Sequence, residues 1–366
     1  MLRQRLDWLL ASDAVAFRNS SLDASEHESF FQIAYQKDLA LRKKQVAFSA
    51  LGSKPRVAVV KSHANLENIG EHYRGEKIRV LDEEFFKVFD PSDTSHRLSL
   101  ENTALVLTNN NLAKITPSKF AHVVESTPTT AYIIHDYDSH HWHEMSVQAA
   151  LLADIYFPAH PVDHFLTSKV NPFIVRGVPC GTIQWTREFL FSRLGEMLIK
   201  SRSNFPLGRH FFYPRFKFRN QVIATLAKFS PHTGIQTENF HTLSPSDRWE
   251  DWASHKVHWI VPVQGDLPIR FFDALVTGGV PLVPVVLSDY IDSLGFRGLY
   301  LTYSPVDILE PAAVVNSALH LFDEGGMDAR LERFHRTLTL AHVDRVYEKI
   351  MDRSLEILGY ISGQPQ

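Results

Sequence analysis

Cysteine is almost absent from this chain. With Cys180 as the one thiol in 366 residues, no internal disulfide can form, and a reducing compartment is expected. Long apolar runs are missing too: no uninterrupted segment approaches the roughly 20 residues that span a bilayer, and the N-terminus lacks the apolar core of a signal peptide. A cytoplasmic protein is therefore expected. Charge of one sign is not in excess. The formal net charge is -3, which gives no reason to expect a nucleic-acid partner. No internal repeat and no low-complexity stretch interrupts the chain, and the 44% apolar and 22% charged fractions are those of a globular protein.

What is present is length, and a change of period. At 366 residues the chain exceeds what one hydrophobic core usually fills, so two domains are expected. Met1 to Leu10 reads as a short helix with Arg3 and Arg5 against Leu2, Leu6, Leu9 and Leu10. Core packing is the ordinary role for such a helix, with a peripheral anchor at the inner face of the membrane as the alternative. Helical spacing follows over Glu26 to Lys44. Strands are then predicted at Arg56–Val60, Ile78–Leu81, Thr103–Thr108, Thr130–Ile134, Asp154–Pro158 and Ile174–Val178, with helices at Ser118–Ser126 and about Met145–Ala153.

A helical stretch over Thr182 to Asn204 separates this half from a second. There Gly208–Tyr213 reads as a strand, Pro214–Phe218 as a basic loop, Arg219–Phe229 as a helix and Thr233–Gln236 as a short strand. Ser244–Ser254 is a polar, Trp-containing segment, Gly298–Thr302 a short strand, and Pro311–Phe322 a helix. A long amphipathic helix is expected from Met327 to Leu358. Strands alternating with helices imply an α/β fold of mainly parallel sheets covered on both faces. Ligands bind such sheets beyond the carboxyl ends of the strands, where Asn109–Asn111 and His135-Asp136 fall.

The stretch Val257 to Val286 carries the most information. It joins an apolar run, a Gly265-Asp266 turn, a helix bearing Arg270 and Asp273, a Gly278-Gly279 stop and a second apolar run from Pro281. Gly265 through Leu275 followed by Gly279-Val280-Pro281-Leu282-Val283 resembles the donor-domain pattern of GT-B glycosyltransferases, in the form found in exostosin-like enzymes and their bacterial relatives. Ala153–Pro158 with Ile174–Gly181 is similar to the end of the acceptor domain of that fold, and Gly208-Arg209 through Arg219-Asn220 to the opening of its donor domain. The resemblance covers about residues 130 to 290.

The resemblance implies two Rossmann-like domains facing a central cleft: an acceptor domain at 1-185, a nucleotide-sugar domain at 186-340, and a helix at 341-366 returning to the first domain. It implies transfer of a sugar from a nucleotide donor to a glycan or glycolipid, in bacterial surface-polysaccharide synthesis. No metal or other cofactor is expected. A CMP-sugar transferase of the Kdo or sialyl type, and a non-catalytic sugar-nucleotide-binding protein, are the alternatives.

For the donor, the loop Gln264, Gly265 and Asp266 delivers a helix N-terminus to phosphate. Asp273 is expected on the ribose hydroxyls and Arg270 on phosphate, the plain alternative being a helical salt bridge between the two. Arg215, Lys217 and Arg219 form a second phosphate group, or else solvated surface charge. Gly265 stands where many retaining enzymes carry an acid, so the stereochemical outcome stays open. For the acceptor, His135 and Asp136 are the candidate bases at a strand's end. Asn110, Asp138, His140 and His141 are the candidate acceptor contacts. So many His and acid residues between His135 and Glu144 also invite a metal, but no established ligand spacing is present. His160-Pro161 reads as a structural turn and Cys180 as a packing residue.

Overall fold

The computed structural model describes residues 24–51, 55–61, 72–73, 76–137, 143–161, 167–236, 243–263 and 265–360. The expected helix at Met1–Leu10 lies outside them. The chain divides into two compact units, one of Met1–Val178 with Tyr347–Gln366, the other of Pro179–Val346.

The first unit begins with α1 (Ala24–Ser49), followed by β1 (Arg56–Val60), a short antiparallel pair β2 (His72–Tyr73) and β3 (Glu76–Lys77), and β4 (Arg79–Leu81). Next come α2 (Glu83–Lys87), α3 (Thr94–Leu100), β5 (Thr103–Thr108), α4 (Asn109–Ile115), α5 (Pro117–Ser126), β6 (Ala131–Asp136), α6 (His143–Leu152), β7 (Ile155–Pro158) and α7 (Thr167–Val170). The strands form one parallel sheet in the order β4-β1-β5-β6-β7. β5 and β6 are buried along their whole length, as strands covered on both faces must be, which is why both read as continuous apolar runs. The expected strand at Ile174–Val178 is reduced to a single parallel bridge from Ile174 to Tyr156. Lys44 of α1 pairs with Asp154 at 2.6 Å, and the same carboxylate oxygen accepts from the Tyr132 backbone N–H at 2.7 Å. A cation and a sheet amide thus satisfy one buried acid together.

The second unit continues with α8 (Arg187–Ser192), α9 (Leu194–Ile199), β8 (Gly208–Phe211), α10 (Lys217–Leu226), β9 (Thr233–Gln236), α11 (Pro245–Ala253), β10 (Val257–Trp259), α12 (Ile269–Val276), β11 (Val280–Pro284), α13 (Ser288–Ser293), β12 (Leu301–Tyr303), α14 (Pro305–Leu309), α15 (Ala312–Leu340) and α16 (Val343–Ile357). β8 pairs with β9, and β10 with β11 and then β12, all parallel. A parallel bridge from Leu207 to His258 joins the two sets, giving the order β9-β8-β10-β11-β12. Both units therefore reverse strand order beside their first strand, as doubly wound sheets do. No helix among the described residues is long and apolar enough to cross a membrane.

Three expectations are corrected. The helical stretch from Thr182 to Asn204 is two short helices, α8 and α9. The polar segment at Ser244–Ser254 is a helix, capped by the Ser244 hydroxyl on the Asp247 N–H, with Pro245 in its first turn and Trp249 and Trp252 buried. The long helix expected from Met327 to Leu358 is interrupted at residues 341–342. There the Thr182 N–H donates to the Ala341 carbonyl at 2.8 Å and the Val343 N–H to Thr182 at 3.0 Å. This sheet-like exchange uses backbone groups that a helix would have kept. Gly181 permits the approach: its φ is +72°, and a Cβ there would stand 2.3 Å from the Ala341 oxygen.

The second apolar run of the Val257–Val286 unit depends on another close approach. His258 is fully buried on β10 and stacks on Trp252 with ring centroids 5.0 Å apart, and a Cβ at Gly279 would lie 2.3 Å from His258 Nε2. Gly279→Ala should therefore lower stability by on the order of 3 kcal/mol, through overpacking that a buried ring pair cannot relieve. Urea unfolding followed by tryptophan fluorescence checks this; an unchanged midpoint would mean that the ring has room to move.

Candidate functional site

In the second unit the strand order reverses between β8 and β10, and in doubly wound sheets the carboxyl ends of strands at such a reversal are where ligands bind. Arg219, in the first turn of α10, turns back across these strand ends. Its Nη1 donates to the Phe211 carbonyl at 2.7 Å and its Nε to the Val261 carbonyl at 3.2 Å, while its guanidinium lies 5.0 Å from the Tyr213 ring centroid. One buried cation thus ties together the two strand ends. Asn220, one residue further, holds the Tyr213 backbone by donating to its carbonyl at 2.7 Å.

His210 of β8 points into the same region. It is 1% exposed, and neither ring nitrogen has a hydrogen-bond partner among the described residues. Burial pushes the imidazole well below its ordinary range, the nearby Arg270 and Arg219 push it further, and the Trp259 backbone opposes them weakly. It is a neutral ring at physiological pH, able to donate or accept.

Arg270 belongs to the first turn of α12, with its guanidinium 5.9 Å from the Trp252 ring centroid. Burial, then repulsion from Arg219, lowers it to about 10, with Asp273 acting in the opposite sense. The amino end of α12 is capped by Pro268, which makes no side-chain cap bond, while the Phe271 N–H donates to the Pro268 carbonyl at 3.0 Å. Gly265, with φ +93°, turns the chain into that helix, and Asp266 is 6% exposed. Asp273 is 1% exposed, and its Oδ1 accepts from the Thr182 hydroxyl at 2.8 Å. Burial lifts this carboxyl to about 7, with the Thr182 hydrogen bond, Arg270 and Arg248 holding it from going further.

Arg219, Gly265, Asp266, Arg270 and Asp273, all read from the sequence as donor-site residues, thus converge at one strand edge. Arg215 and Lys217 stand beside it with exposed side chains, and Gln264 lies outside the described residues. His210 was missed. A lone histidine in a Gly-Arg-His-Phe strand gives no sign of which face it takes. Cys180 is buried, its thiol donating to the Leu267 carbonyl at 3.4 Å, and burial pushes it well above its ordinary range, so it is an inert packing group.

In the first unit the carboxyl ends of β5 and β6 lie side by side, with Thr108 in register with His135. His135 and Asp136 are buried. Neighbours on a strand point to opposite faces, and so do these two. The His135 ring meets Tyr347 edge-on at 6.0 Å, whereas Asp136 Oδ2 accepts from the Tyr156 hydroxyl at 2.5 Å. Asn110 donates its amide to the Tyr137 hydroxyl. Asn111 completes a capping box with Thr108 and reaches the Glu83 carboxylate at 3.0 Å. Asn109, read from the sequence as part of the polar turn at the carboxyl end of this strand, is 1% exposed with neither amide atom partnered among the described residues. His160 is buried, one ring nitrogen 2.7 Å from the Tyr137 carbonyl, in the structural role expected of it. Asp138, His140 and His141 lie outside the described residues. Among those residues no group of three or more His, Cys, Asp or Glu is placed to hold a metal ion.

No protein-family model matches the sequence, and no curated protein matches it. Among solved structures the chain is similar to a sucrose-phosphate synthase from Thermosynechococcus elongatus, at 9% identity and a TM-score of 0.44, over 84% of this chain and 100% of that one. It is also similar to a glycosyltransferase from Rickettsia africae ESF-5, at 9% identity and a TM-score of 0.41, over 84% of this chain and 99% of that one. Both likenesses are distant.

The Asp273 carboxyl has a measurable consequence. Its native value of about 7 stands above the ordinary 3.8, so the folded chain holds a proton that the unfolded chain has lost between these values. Stability from this group is full below about pH 4 and is lost progressively as pH rises from there through 7, by on the order of 4 kcal/mol. Asp273→Asn, which imitates the neutral form, should match wild type near pH 4 and exceed it by that amount near pH 8. A stability difference that does not change with pH would show that the carboxyl is ionised throughout.

Proposed function

We propose that the chain is a glycosyltransferase of GT-B arrangement that moves a sugar from a nucleotide donor to a glycan or glycolipid acceptor. The observation that carries this reading is the edge of the second unit where Arg219, Arg270, unpartnered His210 and the amino end of α12 meet. Two cations and a helix N-terminus suit the phosphates of a nucleotide, and they oppose the charge that develops as the nucleotide leaves. These arginines take the part that a metal plays in other transferases, so the proposal includes no metal.

Asp273 is assigned to the ribose. A ribose hydroxyl would take the place of the Thr182 hydroxyl, so that a hydrogen bond is exchanged and none is lost. Gln264, Gly265 and Asp266 form the loop over the phosphates, and Arg215 and Lys217 draw the anion in from the exposed rim. In this reading the acceptor belongs to the first unit, with Asn110, Asp138, His140 and His141 as contacts and the base drawn from His135 and Asp136. Residues 347–366 belong to the first unit, and the Gln45 amide donates to the Ile357 carbonyl at 2.6 Å. This agrees with a C-terminal helix that returns to the acceptor domain. Cytoplasmic bacterial polysaccharide synthesis, with association at the inner face of the membrane, is the setting that the sequence resemblance supplies.

A thermal-shift series with UDP, GDP, CMP and dTDP tests the reading. A ligand at a hundredfold excess over its Kd stabilises the native state by about 2.7 kcal/mol, so one nucleotide should raise the melting temperature by several degrees. Arg219→Leu and Asp273→Ala should abolish that increment, whatever they do to the starting temperature. Silence toward all of them would sink the transferase reading, and selectivity for CMP would move it to the Kdo or sialyl type. Nucleotide release from a donor sugar on adding acceptor then separates an enzyme from a binding protein.

A further inference from the structure

Residues 255–256 and 277–278 lie just before β10 and β11, and residues 202–203 lie on the approach to β8, where Ser203 makes a parallel bridge to His255. Because these strands are parallel, all three segments share the amino edge of the second unit's sheet, the edge opposite the site described above. Phe322 of α15 lies there. Its ring has the Arg330 guanidinium 4.3 Å from its centroid, Arg202 at 5.3 Å, Arg333 at 5.7 Å and the Lys256 ammonium at 5.8 Å. The bend that brings Arg330 back over Phe322 is at Gly326, whose φ of 54° and ψ of -145° break α15 between the two residues.

Helix ends account for part of this gathering. Arg202 donates to the carbonyls of Met197 at 3.0 Å, Thr277 at 2.7 Å and His255 at 3.3 Å, Arg330 to Leu198 at 2.6 Å, and Arg333 to Gly278 at 3.1 Å. These are carbonyls at or just beyond the carboxyl ends of α9, α11 and α12, where cations are favourable. The caps leave a remainder. Arg202 Nε, Arg330 Nε and Arg333 Nη2 are buried with no hydrogen-bond partner, although Arg333 is 1% and Arg202 8% exposed. None of the three forms a salt bridge with a carboxylate among the described residues: the two nearby acids, Asp323 and Glu332, pair with Lys256 at 2.8 Å and Arg336 at 2.7 Å. Three guanidiniums around one ring, mutually repelling and short of acceptors, are a costly arrangement unless an anion completes it.

We propose that Arg202, Arg330 and Arg333 form a binding site for a free oxyanion of the phosphate class, at the sheet edge opposite the nucleotide site. Planar guanidinium forks with spare N–H groups match the several acceptor oxygens of such an ion, and a second negative charge suits more than one cation. Lys256, released from Asp323, is the flexible fourth contact. Burial first, and then repulsion from neighbouring arginines, lowers Arg202 to about 9 and Arg333 to about 10, so both remain charged at neutral pH, while burial lowers Arg330 and Asp323 opposes it. The site stands or falls independently of nucleotide binding, since it shares no residue with the carboxyl edge.

The probe is inorganic phosphate, compared with sodium chloride at equal ionic strength. Phosphate should raise the melting temperature where chloride does not, and radiolabelled phosphate should be retained by the wild-type chain in equilibrium dialysis. Arg330→Gln removes a half-buried contact with the least damage to packing, and should weaken the apparent affinity by roughly tenfold or more, the cost of one charge-assisted hydrogen bond. Arg330→Lys, a second variant that keeps the charge, should weaken it less. Arg219→Leu should retain the phosphate response while losing the nucleotide response. Equal behaviour in phosphate and chloride, an undiminished response in Arg330→Gln, or loss of the phosphate response in Arg219→Leu would each overturn the assignment.

Discussion

The second unit depends on how two strand ends are held apart. Where β8 and β10 diverge, the Phe211 and Val261 carbonyls both need donors, since a buried carbonyl without one is expensive. Arg219 supplies both donors from a single side chain. The same bonds that close this structural gap fix a positive charge at its mouth, and the Tyr213 ring limits where that charge can move. Fold and binding capacity are therefore inseparable here. Replacing Arg219 by an apolar residue removes the cation and both of these hydrogen bonds together.

Once that charge is fixed, its neighbours follow from electrostatics. His210 beside two arginines stays neutral, which keeps this edge from becoming a cluster of three cations. Arg270 lies over Trp252, and Asp273 is turned toward Thr182, so the salt bridge that spacing on a helix would suggest is replaced by two separate partnerships. A carboxyl lifted toward neutrality by burial beside buried cations is an arrangement found at binding sites.

Much of this was legible in the sequence, and the limits have physical causes. Continuous apolar runs such as Thr103–Thr108 could only be strands covered on both faces, and the Val257–Val286 unit appears with its boundaries nearly as read. What failed was long-range. The interruption at 341–342 is imposed by Thr182, far away in the chain, and no local propensity of Ala341 or His342 announces it. The helix at Pro245–Ala253 was hidden because its buried face is made of Trp249, Trp252 and Arg248 within a polar sequence. At the site, residue types were readable and burial was not. Asp273 and Arg219 could be named, but their enclosure, the unpartnered ring of His210 and the bare amide of Asn109 depend on which face each strand or helix turns inward.

The two edges of the second unit show how parallel topology divides labour. At the carboxyl edge, strand ends diverge and helix amino ends arrive, so an anion meets N–H groups and side-chain cations together. At the amino edge, helices end, their carbonyls accumulate, and arginines are recruited to cover them. The first edge attracts anions through backbone dipoles. The second acquires cations in order to neutralise dipoles of the opposite sense, and then holds more donors than the carbonyls can use. An excess of guanidinium N–H groups around Phe322 is thus what a sheet of this handedness produces when several helices terminate close together, and it turns a structural necessity into a place where an oxyanion can settle.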